Sequence, residues 1–208
     1  ARLVKGLGLP FVRQRAKACL PPPVGTDRLD SPPVVIGFGP AGLFAALILA
    51  ENGYRPLVLE KGAPIEERDR RVDEFFGGGR LDLSSNVQFG EGGAGTYSDG
   101  KLTTRINDPR SQLVLDILHK YGADGDMLRR AKPHIGTDKL KGVVRSIRER
   151  IRSLGGTVVF SQPMTDLEIR SGRLAAVIGK DGERYPANVA VLATGHSARD
   201  VFELIKSK

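Results

Sequence analysis

Residues 34–60 read VVIGFGPAGLFAALILAENGYRPLVLE. The apolar residues 34–36 predict a short buried strand, and the apolar segment 41–52 predicts a helix that Gly53 ends. A second apolar run, residues 57–59, predicts another strand. Glycines with GxGxxG spacing lie between the first strand and the helix, so the stretch predicts a βαβ unit with the dinucleotide-binding fingerprint.

The glycines and one acidic residue give this unit its chemistry. Gly37 permits the tight turn out of the strand, Gly39 lets a pyrophosphate approach the backbone, and Gly42 lets helix and strand pack closely. The helix N-terminus offers unpaired N–H groups and a partial positive charge, which suit a phosphate. Glu60, at the end of the second strand, is placed to accept hydrogen bonds from an adenosine ribose. A tight turn without a ligand is the alternative, and the acidic residue disfavours it.

Composition limits the class of protein. The 208 residues allow one or two domains, and no apolar run is long enough to span a membrane. There is no signal-peptide pattern, and the single cysteine, Cys19, excludes an intramolecular disulfide. We therefore expect a cytoplasmic protein, with an organelle as the alternative if a targeting peptide is missing.

The formal charge of +8 raises the question of nucleic acid. The basic residues concentrate in 2–17 and 129–152, and no aromatic residues interleave with them to make a stacking surface. A solvated helix face, or a surface that attracts an anionic cofactor, is favoured over a nucleic-acid site.

The chain divides into an extension and a domain. Residues 1–33 are basic and then proline-rich, which predicts a linker or extension. Residues 34–208 are expected to form part of the dinucleotide-binding domain, with a helical insertion at about 105–155. Because the chain starts without methionine and stops in a helix-like segment, we expect a fragment of a longer protein.

A second glycine-rich stretch, residues 85–104, reads SNVQFGEGGAGTYSDGKLTT. Its glycines exclude a regular helix or central strand, and Thr96, Ser98 and Lys101 add hydrogen-bond donors. The composition favours a loop against an anionic or polar ligand, with a flexible surface loop as the alternative.

The rest of the chain predicts further elements. A helix is expected at 108–121 and another up to residue 154, capped by Thr137 or Asp138. A strand at 157–160 precedes a three-stranded antiparallel meander with turns at 171–172 and 181–182. An apolar strand at 189–192 then ends in Ala-Thr-Gly, whose small residues allow a close approach to a dinucleotide.

Four motifs together resemble a known family: GFGPAGLFAA with Glu60, SNVQFGEGGAGTYSDGKLTT, PHIGTD and VLATGHSARD. They resemble the NAD(FAD)-utilising, FAD-dependent dehydrogenases, flavoproteins whose fold is like that of glutathione reductase. The resemblance covers about residues 32–202. It implies an α/β fold: a Rossmann-like FAD-binding domain with a central parallel sheet, a three-stranded antiparallel meander and a helical insertion.

The resemblance also implies which residues hold FAD. The pyrophosphate would be held by Gly37, Gly39, Pro40, Ala41 and Gly42. Glu60 would bind the adenosine ribose with Lys61 beside it, and Pro163 and Met164 would lie by the adenine. The middle of the cofactor and the flavin would be approached by Gly92, Gly93, Gly95 and Thr96, and the far side closed by Ala193, Thr194 and Gly195.

The expected function is that of an FAD-dependent oxidoreductase, of which this chain is the cofactor-binding portion. Hydride would pass through the flavin to or from an unknown small molecule, with NAD(P)H as a candidate donor. The alternatives are an NAD(H)-binding dehydrogenase domain and a non-catalytic nucleotide- or nucleic-acid-binding module. The remainder of the parent chain is the expected partner, and no membrane partner is expected.

The catalytic residues are unknown from sequence. His196, His134 and Lys101 are weak candidates, and a structural role is favoured for each histidine. His119, on a predicted helix, is expected to be structural. The histidines are dispersed without metal-ligand spacing, so no metal site is predicted.

Overall fold

A computed structural model describes residues 29–98, 100, 102, 108, 110–128 and 134–208. The predictions for Cys19, Lys101, most of the extension 1–33 and the basic segment 2–17 lie outside these residues.

The predicted βαβ unit opens the described chain. The helices and strands, in chain order, are β1 (Val34–Ile36), α1 (Pro40–Glu51), β2 (Leu57–Leu59), α2 (Ile65–Phe76), α3 (Arg110–Lys120), α4 (Thr137–Ser153), β3 (Thr157–Val159), β4 (Met164–Arg170), β5 (Arg173–Gly179), β6 (Arg184–Pro186), β7 (Ala190–Leu192) and α5 (Arg199–Ser207). Short 3-10 turns are formed by Ala94–Tyr97, Gly125–Leu128 and Lys180–Gly182.

Two sheets carry the fold. A parallel sheet has the strand order β3-β2-β1-β7, and its middle register aligns Val35 with Val58 and with Val191. The second sheet is the antiparallel meander β4-β5-β6. Both the central parallel sheet and the three-stranded meander expected from the sequence are therefore confirmed.

The parallel sheet is buried on both faces. Val35, Val58 and Val158 belong to one core cluster, with the helix side chains of α1 and α4. Val34, Ile36 and Leu59 belong to the other cluster, with residues of the meander and α5. This explains why β1 and β2 are continuous apolar runs and do not alternate with polar residues.

Helix α4 connects the helical segment to the sheet. It packs against α1, and its end leads through Gly155 and Gly156 directly into β3. Thus the later part of the stretch 105–155, expected as an insertion, supplies the crossover to a central strand. The division of the chain into domains stays a prediction.

Two glycines end helices as the sequence predicted, but the side-chain cap predicted for α4 is absent. Gly53 after α1 and Gly122 after α3 adopt the left-handed backbone, with φ of 84° and 120°. The cap predicted for Thr137 or Asp138 is wrong, because α4 begins at Thr137 and its N-cap is Gly136, without a side-chain hydrogen bond. Among the described residues, no helix is both long enough and apolar enough to cross a bilayer.

The packing of Gly42 predicts a large difference between two glycine substitutions. A Cβ on Gly42 would lie 1.9 Å from the carbonyl oxygen of Gly37, whereas nothing lies within 4 Å of a Cβ on Gly142 in α4. We expect Gly42→Ala to lower the free energy of unfolding by about 1–3 kcal/mol. Gly142→Ala should raise it by up to about 1 kcal/mol. Urea denaturation of both variants measures the difference, and equal stabilities would contradict the close packing at Gly42.

Candidate dinucleotide-binding site

The first glycine loop, residues 37–42, lies at the carboxyl end of β1 between other backbone segments. Gly37 has φ of 96°, and a Cβ there would lie 2.6 Å from the carbonyl oxygen of Ala193. The Ala193 N–H donates to the carbonyl of Ile36 at 2.8 Å. The structure therefore brings the predicted residues Gly37, Gly42 and Ala193 into direct proximity.

The second glycine loop, residues 90–95, contacts the first. The Gly92 N–H donates to the carbonyl of Phe38 at 2.9 Å. A Cβ on Gly93 would lie 3.1 Å from the Cα of Gly39. Two stretches that the sequence predicted separately thus form one surface.

The start of α1 has the properties of an anion site. Gly39 is its N-cap and Pro40 its first residue, with no side-chain cap and no acidic residue in the first turn. The first N–H groups of a helix have no partner within the helix and carry a partial positive charge. Pro40 has no N–H, but Ala41 is exposed, so its N–H at the start of the helix is open to a phosphate.

Glu60 is a buried acceptor at the end of β2. Its Oε2 accepts the Phe38 N–H at 2.6 Å, and its Oε1 accepts the Gly62 N–H at 2.8 Å. The carboxylate therefore holds the first glycine loop against β2. Each oxygen keeps a second lone pair, so the ribose contact stays a prediction beside this structural role.

The other residues expected to hold the cofactor have varied surroundings. Lys61 pairs with Asp200 at 3.1 Å and lies 4.7 Å above the Phe89 ring. Met164 is packed in the core as the first residue of β4, and Pro163 before it is half-buried. Their expected contacts with ribose and adenine stay predictions.

The surroundings of Thr96 favour a bound cofactor more directly than those of Lys61, Pro163 and Met164. It is fully buried, and its hydroxyl has no hydrogen-bond partner among the described residues. Gly95 beside it has no atom within 4 Å of a Cβ position. Thr194 is half-buried and Gly195 is exposed after β7. These features fit an extended dinucleotide: the Thr96 hydroxyl lacks a partner, the space beside Gly95 is open, and the N-terminus of α1 has no side-chain cap.

The candidate catalytic residues remain untested. His196 is exposed, with its Nε2 3.3 Å from the hydroxyl of Ser197. His134 is exposed in the PHIGTD segment, which contacts the second glycine-rich stretch where the Ile135 N–H donates to the Gly100 carbonyl at 2.9 Å. His119 has the structural role expected of it, because its Nδ1 lies 2.8 Å from the Ala123 carbonyl at the end of α3.

Arg68 is a site residue that sequence analysis missed. This α2 side chain is fully buried, and its Nε donates to the Asn86 carbonyl at 2.8 Å. Its Nη1 donates to the carbonyls of Glu91 at 2.6 Å and Gly93 at 3.0 Å. Burial lowers the pKa of Arg68 although acidic groups nearby oppose the shift. One guanidinium thus supplies the donors that an irregular, buried loop lacks.

Glu91 and Arg148 were also missed. Glu91 is fully buried, and its Oε2 accepts the Ile65 N–H at 2.9 Å and the Arg148 Nη1 at 2.6 Å. Burial raises the pKa of Glu91. The one sequence signal was an acidic residue inside the run GEGG, since a charge there needs a partner if the loop is buried.

Three of the four arginines of α4 form ion pairs with acidic residues. Arg145 and Arg148 contact Glu66 at 2.7 Å and 3.0 Å, and Arg152 contacts Glu149 at 3.3 Å. Hydrogen bonding to Arg148 holds the pKa of Glu66 at about 2 although partial burial opposes this. Much of the basic face that raised the question of nucleic acid therefore serves intramolecular ion pairs.

Comparison with known proteins shows a matching family and a similar protein. The family described as "Glucose inhibited division protein A" matches residues 33–203. An uncharacterized protein of Clostridium beijerinckii is 50% identical over 181 residues, which cover 87% of this chain and 34% of that protein. This chain therefore spans about a third of the length of that relative.

Two solved structures are similar to this chain to different degrees. THI4 of Thermovibrio ammonificans superposes with a TM-score of 0.55 at 19% identity, over 86% of this chain and 62% of that chain. The Diels-Alderase PyrE3 of pyrroindomycin biosynthesis gives a TM-score of 0.48 at 20% identity, over 81% and 33%. The likeness to THI4 confirms the fold class and carries no further argument.

The low pKa of Glu66 predicts a dependence of stability on pH. Its pKa is lowered from 4.5 to about 2 in the folded state, so its stabilising effect is complete above 4.5 and is lost as pH falls towards 2. When the pH is lowered from about 5 to about 3, we expect the free energy of unfolding to decrease less in Glu66→Gln than in the wild-type protein. Urea denaturation across this range measures the slope.

The matched control is Glu74→Gln. Glu74 lies on the same helix, is exposed, and its carboxylate is 4.0 Å from the Arg70 guanidinium. We expect this variant to keep the wild-type slope, and equal slopes in all three proteins would show that Glu66 is not stabilised by Arg148.

Proposed function

We propose that this chain, which belongs to the glucose inhibited division protein A family, is the cofactor-binding part of an FAD-dependent oxidoreductase. FAD is the cofactor of this family, which confirms the flavoprotein resemblance drawn from the sequence. The activity of the whole protein is a proposal, since this chain spans only about a third of its relative.

The observation that carries the proposal is the junction of the two glycine loops. The backbones of Gly39 and Gly93 lie against each other, beside the Pro40 ring, at the bare N-terminus of α1. Side chains at these positions would fill the space that a pyrophosphate and the adjoining part of a dinucleotide need. The Thr96 hydroxyl, buried without a partner, adds a group that a bound cofactor would satisfy.

The chain's own residues then bind and orient the cofactor. Residues 37–42 bind the pyrophosphate, Glu60 accepts from the ribose, and residues 92–96 line the side towards the flavin. FAD supplies hydride transfer when bound, and NAD(P)H is the proposed donor. His134 and His196 remain candidates for holding a proton near an unidentified small-molecule substrate.

A substitution at Gly39 tests the site with little effect on the fold. A Cβ on Gly39 meets only the Gly93 Cα, at 3.7 Å, and its φ of −73° suits any residue. We expect Gly39→Val to fold but to raise the dissociation constant of FAD at least about tenfold, because the side chain occupies the phosphate path. Visible absorption and fluorescence titration with FAD measure the loss.

Gly142→Val is the matched control, since nothing lies within 4 Å of that Cβ. It should bind FAD like wild type. Unchanged affinity in Gly39→Val would contradict the site. Absence of flavin from the wild-type protein, even after reconstitution, would overturn the FAD proposal, and binding of NADH in its place would favour the dehydrogenase-domain alternative.

The second part of the proposal concerns the partner surface. Strand β7 pairs only with β1, so its other edge is open in the described residues. Leu192, the last residue of β7, and Phe202 on α5 are about half exposed. They border a largely apolar cleft of about 460 Å³. Because parallel sheets are normally buried at both faces and open edges recruit strands, we propose that the remainder of the parent chain covers this edge.

Amide exchange tests the covered edge. The Val189 carbonyl and the Ala193 N–H form hydrogen bonds with β1. Because successive residues of a strand direct their N–H groups to opposite edges, the N–H groups of Ala190 and Leu192 face the open edge. We expect these two amides to exchange at least about tenfold more slowly in the full-length protein than in this chain alone. Equal exchange rates would show that no strand is added there.

A further inference from the structure

We propose that the buried ion pair between Glu91 and Arg148 positions the second glycine loop against the first, so that FAD affinity depends on helix α4. The inference rests on the proposed function, because it assigns positioning residues to the same site. Neither residue lies in the GxGxxG motif of residues 37–42, and the two are 57 residues apart in the chain.

Glu91 fixes the loop from within. It is flanked by Gly90 and Gly92, and its side chain is fully buried. Its Oε2 accepts from the Ile65 N–H at the start of α2 and from Arg148, while its Oε1 has no partner among the described residues. The guanidinium of Arg148 is therefore the charge that makes ionised Glu91 tolerable in the interior.

Arg148 links this carboxylate to two helices. Its side chain is 8% exposed, and it also contacts Glu66 of α2 and Glu149 of α4, both at 3.0 Å. Burial opposes the charge of Arg148, yet these carboxylates raise its pKa. One guanidinium thus joins α4, the start of α2 and the second glycine loop.

The loop that Glu91 anchors is the loop that contacts the first glycine motif. Directly after Glu91, the Gly92 N–H bonds to the Phe38 carbonyl, and Gly93 lies against Gly39. A Cβ on Gly92 would lie 3.4 Å from Val144 of α4, so the helix also borders the loop sterically. If Arg148 is removed, the buried carboxyl group must either take up a proton or move towards water, and in both cases it loses the contact that fixes the neighbouring glycines.

Arg68 does not replace this contact. It donates to the carbonyls of Glu91 and Gly93, but among the described residues it forms no hydrogen bond with the Glu91 carboxylate. Its role is to satisfy the loop backbone, while Arg148 determines where the carboxylate lies. The two arginines therefore hold the same loop through different atoms.

The test uses the full-length protein with Arg148→Met and, as matched control, Arg145→Met. Arg145 is on the same helix and pairs with Glu66, but it is half exposed and does not contact Glu91. We expect Arg148→Met to raise the dissociation constant of FAD about 10–100-fold. Arg145→Met should stay within about twofold of wild type.

A readout without FAD separates positioning from general stability. In the apoprotein, Arg148→Met should speed amide exchange at Glu91 and Gly92, which donate to the carbonyls of Ala63 and Phe38. The amides of β1 and β2 should keep their wild-type rates. Arg148→Lys, which retains a charge but not the planar guanidinium, should give an intermediate loss of affinity and covers the case in which Arg148→Met does not fold.

The outcomes are distinct. FAD affinity within about twofold of wild type in a folded Arg148→Met or Arg148→Lys protein would overturn the inference, as would faster exchange spread equally over β1, β2 and the loop. If the wild-type protein itself binds no FAD, the proposed function fails. The amide exchange measurement then decides by itself whether the ion pair positions the loop: exchange in Arg148→Met should be faster at Glu91 and Gly92 but not in β1 and β2.

Discussion

The close approach of backbone to backbone at Gly37 and Gly42 is the constraint on which the structure depends. The carbonyl of Gly37 occupies the place where a Cβ of Gly42 would be, and the carbonyl of Ala193 nearly does the same for Gly37. Strand β1, helix α1 and strand β7 can therefore meet at one point only because two side chains are missing. That meeting point leaves the N-terminus of α1 uncovered, and the candidate site is built around it.

The second glycine loop poses a different physical problem. An irregular segment that is buried leaves backbone carbonyls without partners, and Arg68 supplies three donor contacts to the carbonyls of residues 86, 91 and 93. The same loop carries a buried carboxylate, which Arg148 neutralises. Side-chain hydrogen bonds and an ion pair thus satisfy the polar groups of this loop, as backbone hydrogen bonds between strands do elsewhere in the fold. Their cost is desolvation, which shows in the lowered pKa of Arg68 and the raised pKa of Glu91.

The layered architecture relates the site to the rest of the protein. Helices cover one face of the parallel sheet, and the meander with α5 covers the other, so the carboxyl ends of β1 and β2 and the loops after them are the surface left for a ligand. Glu60, the two glycine loops and the segment after β7 all lie at this edge. The apolar cleft between β7 and α5 adjoins that surface, because Thr194 and Gly195 also line it, and it suits contact with further protein.

The sequence by itself determined the βαβ unit and the meander, and its resemblance to a flavoprotein family predicted that the two glycine stretches serve one cofactor. Apolar runs, turn residues at 171–172 and 181–182, and glycine spacing act over a few residues, so they can be interpreted locally. Only the tertiary structure decided that Gly93 lies against Gly39, that Glu60 holds the first loop, and that Arg68 and Arg148 hold the second. These partners come from distant segments that the strand order brings together. Local periodicity describes which face of an element is apolar, but it does not specify which buried charge another element will neutralise.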